Sequence, residues 1–140
     1  MNQTDIEKNE LHLDTRIKNS NERVDLAIGN LKMNEGGRPY VEPRMVVEVK
    51  LFPTNGFTAA QHSEHYNQIL KRDLPKLARI DSLIEFRVAL IVDGNGYLNG
   101  NYKGHNRLDF LVERRNQIAR GVCVCILSLI NSKWDINYIS

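Results

Sequence analysis

Glu48 and Lys50 stand two residues apart inside "RMVVEVKLF" (44–52), a run otherwise made of strand formers. In a strand, residues i and i+2 share a face, so this carboxylate and this ammonium project side by side. Burying such ions costs several kcal/mol each unless they pair or bind something. A third group stands upstream: "RVDLAI" carries a lone acid, Asp25, among apolar neighbours. If these two strands are adjacent, Asp25 and Glu48 approach closely, and two carboxylates at that range repel each other unless a cation lies between them. Hard oxygen ligands of this kind suit Mg²⁺ or Mn²⁺, with waters and a substrate phosphate completing the shell. A metal held there lowers the pKa of a bound water and clamps a phosphate under attack. Lys50, on the same face as Glu48, orients that water or offsets charge on the phosphate. The competing reading is a structural ion-pair cluster on an edge strand.

With 17 acids and 8 lysines in 140 residues, chance alone supplies an acid-x-Lys triplet, so its setting has to carry the argument. "EFRV" offers a control, because Glu85 and Arg87 repeat the spacing in another strand. Guanidinium is a fixed planar fork that does not deprotonate near neutral pH, so this second triplet reads as structural. His62 and His65, three apart on a helix, have polar neighbours and read as an exposed face rather than metal ligands. Cys123 and Cys125 share one face of a strand, are poorly placed to bond each other, and read as small core hydrophobes. "DGNGYLNGNYKG" lacks the spacing and the Lys-Ser/Thr ending of a phosphate-binding loop and reads as a turn.

The elements that position these groups follow from periodicity. "ELHLDTRI" alternates apolar and polar residues as a half-buried strand does. "KNSNE" has turn chemistry, and "RVDLAIGNL" is a second strand forming a hairpin with the first. "KMNEGGRPYVEP" reads as a loop, and "RMVVEVKLF" as the third strand. From Thr58 to about Ile80, Tyr66, Ile69, Leu70, Leu74 and Leu77 recur at helical steps, with Pro75 kinking or splitting the helix. "EFRVALIVDG" is a near-continuous apolar strand, as expected inside a sheet covered on both faces. "RLDFLVERRNQIARG" is a helix with a terminal glycine, and "VCVCILSLI" and "KWDINYI" are two closing strands. The order predicts an α/β fold, a mixed β-sheet flanked by helices, in a single domain over residues 1–140.

Bulk composition narrows the function classes. At 41% hydrophobic and 26% charged residues, the chain is neither disordered nor fibrous. A net charge of +2 permits a nucleic-acid partner without announcing one. No apolar run approaches the length of a membrane helix, and the polar start "MNQTDIEKNE" argues against a targeting peptide, so a cytoplasmic location is expected.

"RVDLAI", a loop, "VVEVK" and a helix containing "QHSEHYNQILKRDLPKL" together resemble the PD-(D/E)xK nuclease superfamily, over roughly Glu10 to Val92. The resemblance implies a restriction-endonuclease-like core and Mg²⁺- or Mn²⁺-dependent hydrolysis of DNA. It implies Asp25, Glu48 and Lys50 as catalytic residues, with Asp25, Glu48 and the Val49 backbone carbonyl as metal ligands. The superfamily often carries a glutamine or tyrosine in the following helix, which makes Gln61 and Tyr66, then Gln68, accessory candidates. Val24 stands where a proline often precedes the acid, and a polar stretch stands where an opening helix is usual, so Glu10 is the candidate to replace that helix's glutamate. Lys71, Arg72, Lys76 and Arg79 on the helix, with Arg114, Arg115 and Arg120, read equally as phosphate contacts and as the solvated outer faces of the helices. Trp134, Ile136, Tyr138 and Ile139 make an apolar end that predicts a homodimer. The alternative is a module of the same fold that binds nucleic acid or protein without cutting.

Overall fold

Alternation along the first two segments and the apolar run after them builds three antiparallel strands at one side of a six-stranded sheet. The computed structural model describes residues 10–18, 22–80 and 84–140; the turn expected at "KNSNE" lies partly outside them. The strands are β1 (Glu10–Arg16), β2 (Arg23–Met33), β3 (Pro39–Phe52), β4 (Phe86–Asp93), the two-residue β5 (Asn101–Tyr102) and β6 (His105–Asn106), β7 (Cys123–Ile130) and β8 (Lys133–Ile139). The main sheet runs β1-β2-β3-β4-β7-β8, with β5 and β6 paired separately. The β3–β4 and β4–β7 pairs are parallel and the others antiparallel. Helices α1 (Ala59–Gln68), α2 (Leu74–Arg79) and α3 (Arg107–Ile118) supply the crossovers, giving a mixed α/β fold. No helix among the described residues is long and apolar enough to cross a membrane.

One sequence expectation is corrected here. The stretch "KMNEGGRPYVEP" is mostly strand, because β2 and β3 extend through it and only a tight turn, closed by Asn34 and Arg38, separates them. Its prolines fit because Pro39 opens β3 and Pro43 sits where the register shifts, places where a missing N–H is tolerated. Gly29 faces that shift, where a Cβ would lie 2.3 Å from the Glu42 carbonyl oxygen. The long helix is divided at Pro75, as the sequence led one to expect. A capping box between Thr58 and Gln61 starts α1, and a five-residue π-helical turn, Ile69–Asp73, separates it from α2. Pro75 has no N–H and crowds the carbonyl four residues back; the wider turn accommodates it, with the Leu74 N–H bonding the Ile69 carbonyl.

Pairing register sorts the sheet into two unlike faces. One face carries rows such as Glu48–Ala89–Val124–Ile139 and Lys50–Ile91–Ile126–Asn137. The helices pack here, on a core that joins Val46, Ala89, Ile91, Val124 and Ile126 to Tyr66, Leu74, Leu77 and Leu111. The opposite face carries Leu13–Leu26–Val47–Val88–Cys123 and Val49–Leu90–Cys125–Tyr138. Among the described residues no element covers it. The apolar run of β4 is therefore interior to the sheet but sheltered on one face only, and both cysteines are half-buried on the open face rather than in the core.

Candidate functional site

The β2–β3 ladder runs in register as far as Leu26 opposite Val47 and stops there. One step on, the backbone N–H of Val49 donates to Asp25 Oδ2 at 2.7 Å, so a side chain takes a ladder hydrogen bond. Where the strands part, the exposed Asp25 carboxylate comes up beside Glu48, close enough to raise the Glu48 pKa. The condition set by the sequence, that these two strands be adjacent, is met by the β2–β3 pairing, which brings the two acids together.

Glu48 and Lys50 both point under the helices and are buried, at 6% and 8% exposure. Burial pushes the Glu48 carboxyl up from 4.5 to about 7; the Lys76 ammonium pulls it down, and Asp25 adds to the rise. Lys76 Nζ lies 2.5 Å from Glu48 Oε1. That oxygen nonetheless lacks an aligned hydrogen-bond donor, although it is buried. Lys50 has different partners: its Nζ lies 3.2 Å from Asp73 Oδ2 and donates to Gln68 Oε1 at 3.0 Å. Asp73 is 2% exposed and also meets Arg72 Nε at 3.3 Å. The result is two linked ion pairs under one helix, Asp25–Glu48–Lys76 and Lys50–Asp73–Arg72.

The helix supplies these partners through its local irregularity. The π-helical turn ends on Asp73, and Lys76 lies three residues later, on the same side of α2. Asp73 escaped the sequence reading, although a signal was present. It falls at helical spacing with Ile69, Leu70 and Leu77, a single acid on an apolar stripe. Gln68, the last of the accessory candidates, is the one that reaches Lys50. Gln61 is committed to the capping box, accepting from the Thr58 N–H. Tyr66 lies in the core, where its hydroxyl donates to the Arg107 carbonyl at 2.7 Å and burial raises its pKa. Glu10 pairs with Gly29, four residues along β2 from Asp25, or roughly 13 Å at the strand rise, so it is not brought to the acids.

The predicted phosphate contacts divide. Lys71 is exposed on the outer helix face. Arg72 is drawn to Asp73 and Gln68, Lys76 to Glu48, and Arg79 to Glu22. Arg115 is buried and ties the end of α3 to the carbonyls of Arg120 and Val122. His62 is buried as well, against the exposed placement expected, packed beside the mutually stacked rings of Phe52 and Tyr97.

A divalent cation can be weighed against these donors. Among the described residues no group of three His, Cys, Asp or Glu side chains converges. Mg²⁺ is commonly held by one or two carboxylates with waters making up the shell. Asp25 and Glu48 meet that need, and the Lys76 ammonium at Glu48 Oε1 shows that positive charge is already drawn to this oxygen. The residues fit.

No family model matches the chain, and no curated protein matches it. Among solved structures it is similar to that titled as Pyrococcus furiosus SfsA in complex with Ca²⁺, at 18% identity and a TM-score of 0.31. The match covers 91% of this chain and 51% of that one, so this chain spans about half the length of that protein. A likeness of this size assigns no chemistry.

Proposed function

We propose that this chain is a divalent-metal-dependent phosphodiesterase acting on DNA. The observation that carries the reading is the meeting of Asp25 and Glu48 where β2 and β3 part, with Glu48 pushed up to about 7. A buried carboxyl beside a second carboxylate is held in its charged form most effectively by a cation. When bound, Mg²⁺ or Mn²⁺ would supply an acidified water and offset charge on the phosphate. Asp25, oriented by the Val49 N–H, would hold it together with Glu48 and the Val49 carbonyl. Lys50 is set by Asp73 and Gln68 so that its ammonium stays on the Glu48 face, where it serves a phosphate undergoing attack. Lys76 supplies the positive charge beside Glu48 without metal. Lys71 and Arg72 border a shallow depression with Ser63, Glu64, Asn67 and Gln68, so the positive charge available to a phosphate backbone there comes mainly from the exposed Lys71.

Plasmid and linear DNA incubated with the protein test this directly. Cleavage is expected with Mg²⁺ or Mn²⁺, absent in EDTA and lost in Glu48→Ala. Cleavage that persists in EDTA, or is unchanged in that variant, would overturn the reading.

One observation favours a second reading, a module of the same fold that binds without cutting. The buried charges already pair among themselves, Glu48 with Lys76 and Lys50 with Asp73. On that reading calorimetry detects no Mn²⁺ binding that depends on Asp25, while DNA or protein binding remains.

A further inference from the structure

The open face of the sheet is apolar from edge to edge. Its rows run Leu11–Ile28–Met45–Phe86, then those through Val47 and Val49, then Leu51–Val92–Leu127–Ile136, and last Leu129–Trp134. No Asp, Glu, Lys, Arg or His stands in any of them. Six large side chains, Leu11, Leu13, Phe86, Trp134, Ile136 and Tyr138, are between 50% and 69% exposed. At roughly 150–250 Å² per large side chain they alone present on the order of 700 Å² of apolar surface. The half-buried middle strands add to this. A typical monomer's largest apolar patch is about 300–600 Å², whereas a stable interface takes about 800 Å² from each partner.

From this face we infer that the chain forms a two-fold homodimer by packing sheet against sheet. The area matches what such a dimer needs, and the charge pattern selects a second copy as the occupant. In a two-fold contact the same patch meets itself, so any charge near the axis meets its own like. The rows named above avoid that repulsion because they carry no charge, the Lys32–Glu42 pair lying beyond them toward the β2–β3 turn. Two sheets stacked face to face lie about 10 Å apart with interdigitating side chains, forming a second core in place of a second helical layer. The helix face, with Asp25, Glu48 and Lys50, then points outward from both copies. The inference therefore stands apart from the chemistry proposed for that site.

Trp134, the chain's single tryptophan, reports on this face. Light scattering on the full chain at micromolar concentration is expected to give twice the 16.1 kDa of one copy. Dilution is expected to shift the tryptophan emission to the red as the indole meets water. Ile136→Glu and Leu13→Glu each place two like charges at the contact and are expected to weaken association at least about a hundredfold. Glu113→Lys, on the outer side of α3, leaves it unchanged. Circular dichroism confirms that each variant is folded. Should both glutamate variants fail to fold, the wild-type mass and dilution series decide alone. A 16.1 kDa species up to 100 µM, or a dimer that survives both substitutions, would overturn the proposal, as would burial of this face only on adding a different protein.

Discussion

Two acid-x-cation triplets lie on neighbouring parallel strands, and the fold uses them in opposite ways. Glu48-Val49-Lys50 sits within β3, under the helices, where Lys50 finds the buried Asp73 and Glu48 the half-buried Lys76. Glu85-Phe86-Arg87 straddles the start of β4. There Glu85 is half exposed and pairs at 3.0 Å with Arg44, while Arg87 donates to the Leu77 and Ala78 carbonyls at the end of α2. The second triplet closes a strand end and caps a helix; the first is held at a cost in desolvation. Spacing alone does not distinguish them. Distance from the strand end does, because a central strand position turns both ions under the helical layer, whereas a terminal one lets the acid reach water.

The sharpest way to break this comparison is to remove the acid from each triplet. Glu48→Ala is expected to lower Mg²⁺-dependent DNA cleavage by about 10³-fold or more, the scale of losing a group that stabilises transition-state charge. Glu85→Ala is expected to leave the rate within about twofold, since exposed pairs contribute little. Equal losses in a single-turnover assay would erase the distinction.

Next in size is the effect on stability. Asp73→Ala leaves Lys50 buried without a counter-charge, which is expected to cost about 3–5 kcal/mol in urea unfolding. Double substitution of Asp73 and Lys50 by apolar residues is expected to recover much of it, because the penalty belongs to the unpaired ion.

A third test uses pH. The Glu48 carboxyl sits at about 7 in the folded chain against an ordinary 4.5. Between those values the folded chain holds a proton that the unfolded chain has released, so stability from this group is full below pH 4.5 and is lost as pH rises through 7. Glu48→Gln is expected to flatten that decline in unfolding curves taken from pH 4.5 to 8. Mn²⁺ affinity measured by calorimetry is expected to move the other way, weakening about tenfold for each pH unit below 7 as protons compete for the carboxylate.

The smallest expected effect is on the surface side of the comparison. Glu85→Ala or Arg44→Ala is expected to change unfolding free energy by at most about 1 kcal/mol. A loss of several kcal/mol from either would show that the Arg44–Glu85 pair holds the β3–β4 register rather than decorating it.

Strand and helix positions were legible in the sequence because period-two and helical spacing are local properties of the chain. Asp25 and Glu48 were legible as candidates, but their approach depended on β2 and β3 being neighbours, which the fold supplies. Where reading stopped, the cause lay in contacts between distant segments. Lys32–Pro43 reads as a loop by its glycines and prolines, yet a register shift lets β2 and β3 pair through it. His62 reads as exposed by its neighbours, yet the aromatic rings of Phe52 and Tyr97 arrive from elsewhere to bury it.

By itself, then, the sequence determined most of the elements, the mixed α/β class and the shared face of Glu48 and Lys50, all set by local periodicity. Only the tertiary structure decided which helix groups complete the site. Asp73, Lys76 and Gln68 reach β3 because the π-helical turn before Pro75 aims them there, and the same change of aim leaves Tyr66 in the core. Tertiary structure also decided that, among the described residues, the helices fall on one face of the sheet. Alternation specifies that a strand has two faces, but what covers each depends on where the connections cross. Strands apolar on both sides, such as β4, are compatible with a sheet sheltered twice or once.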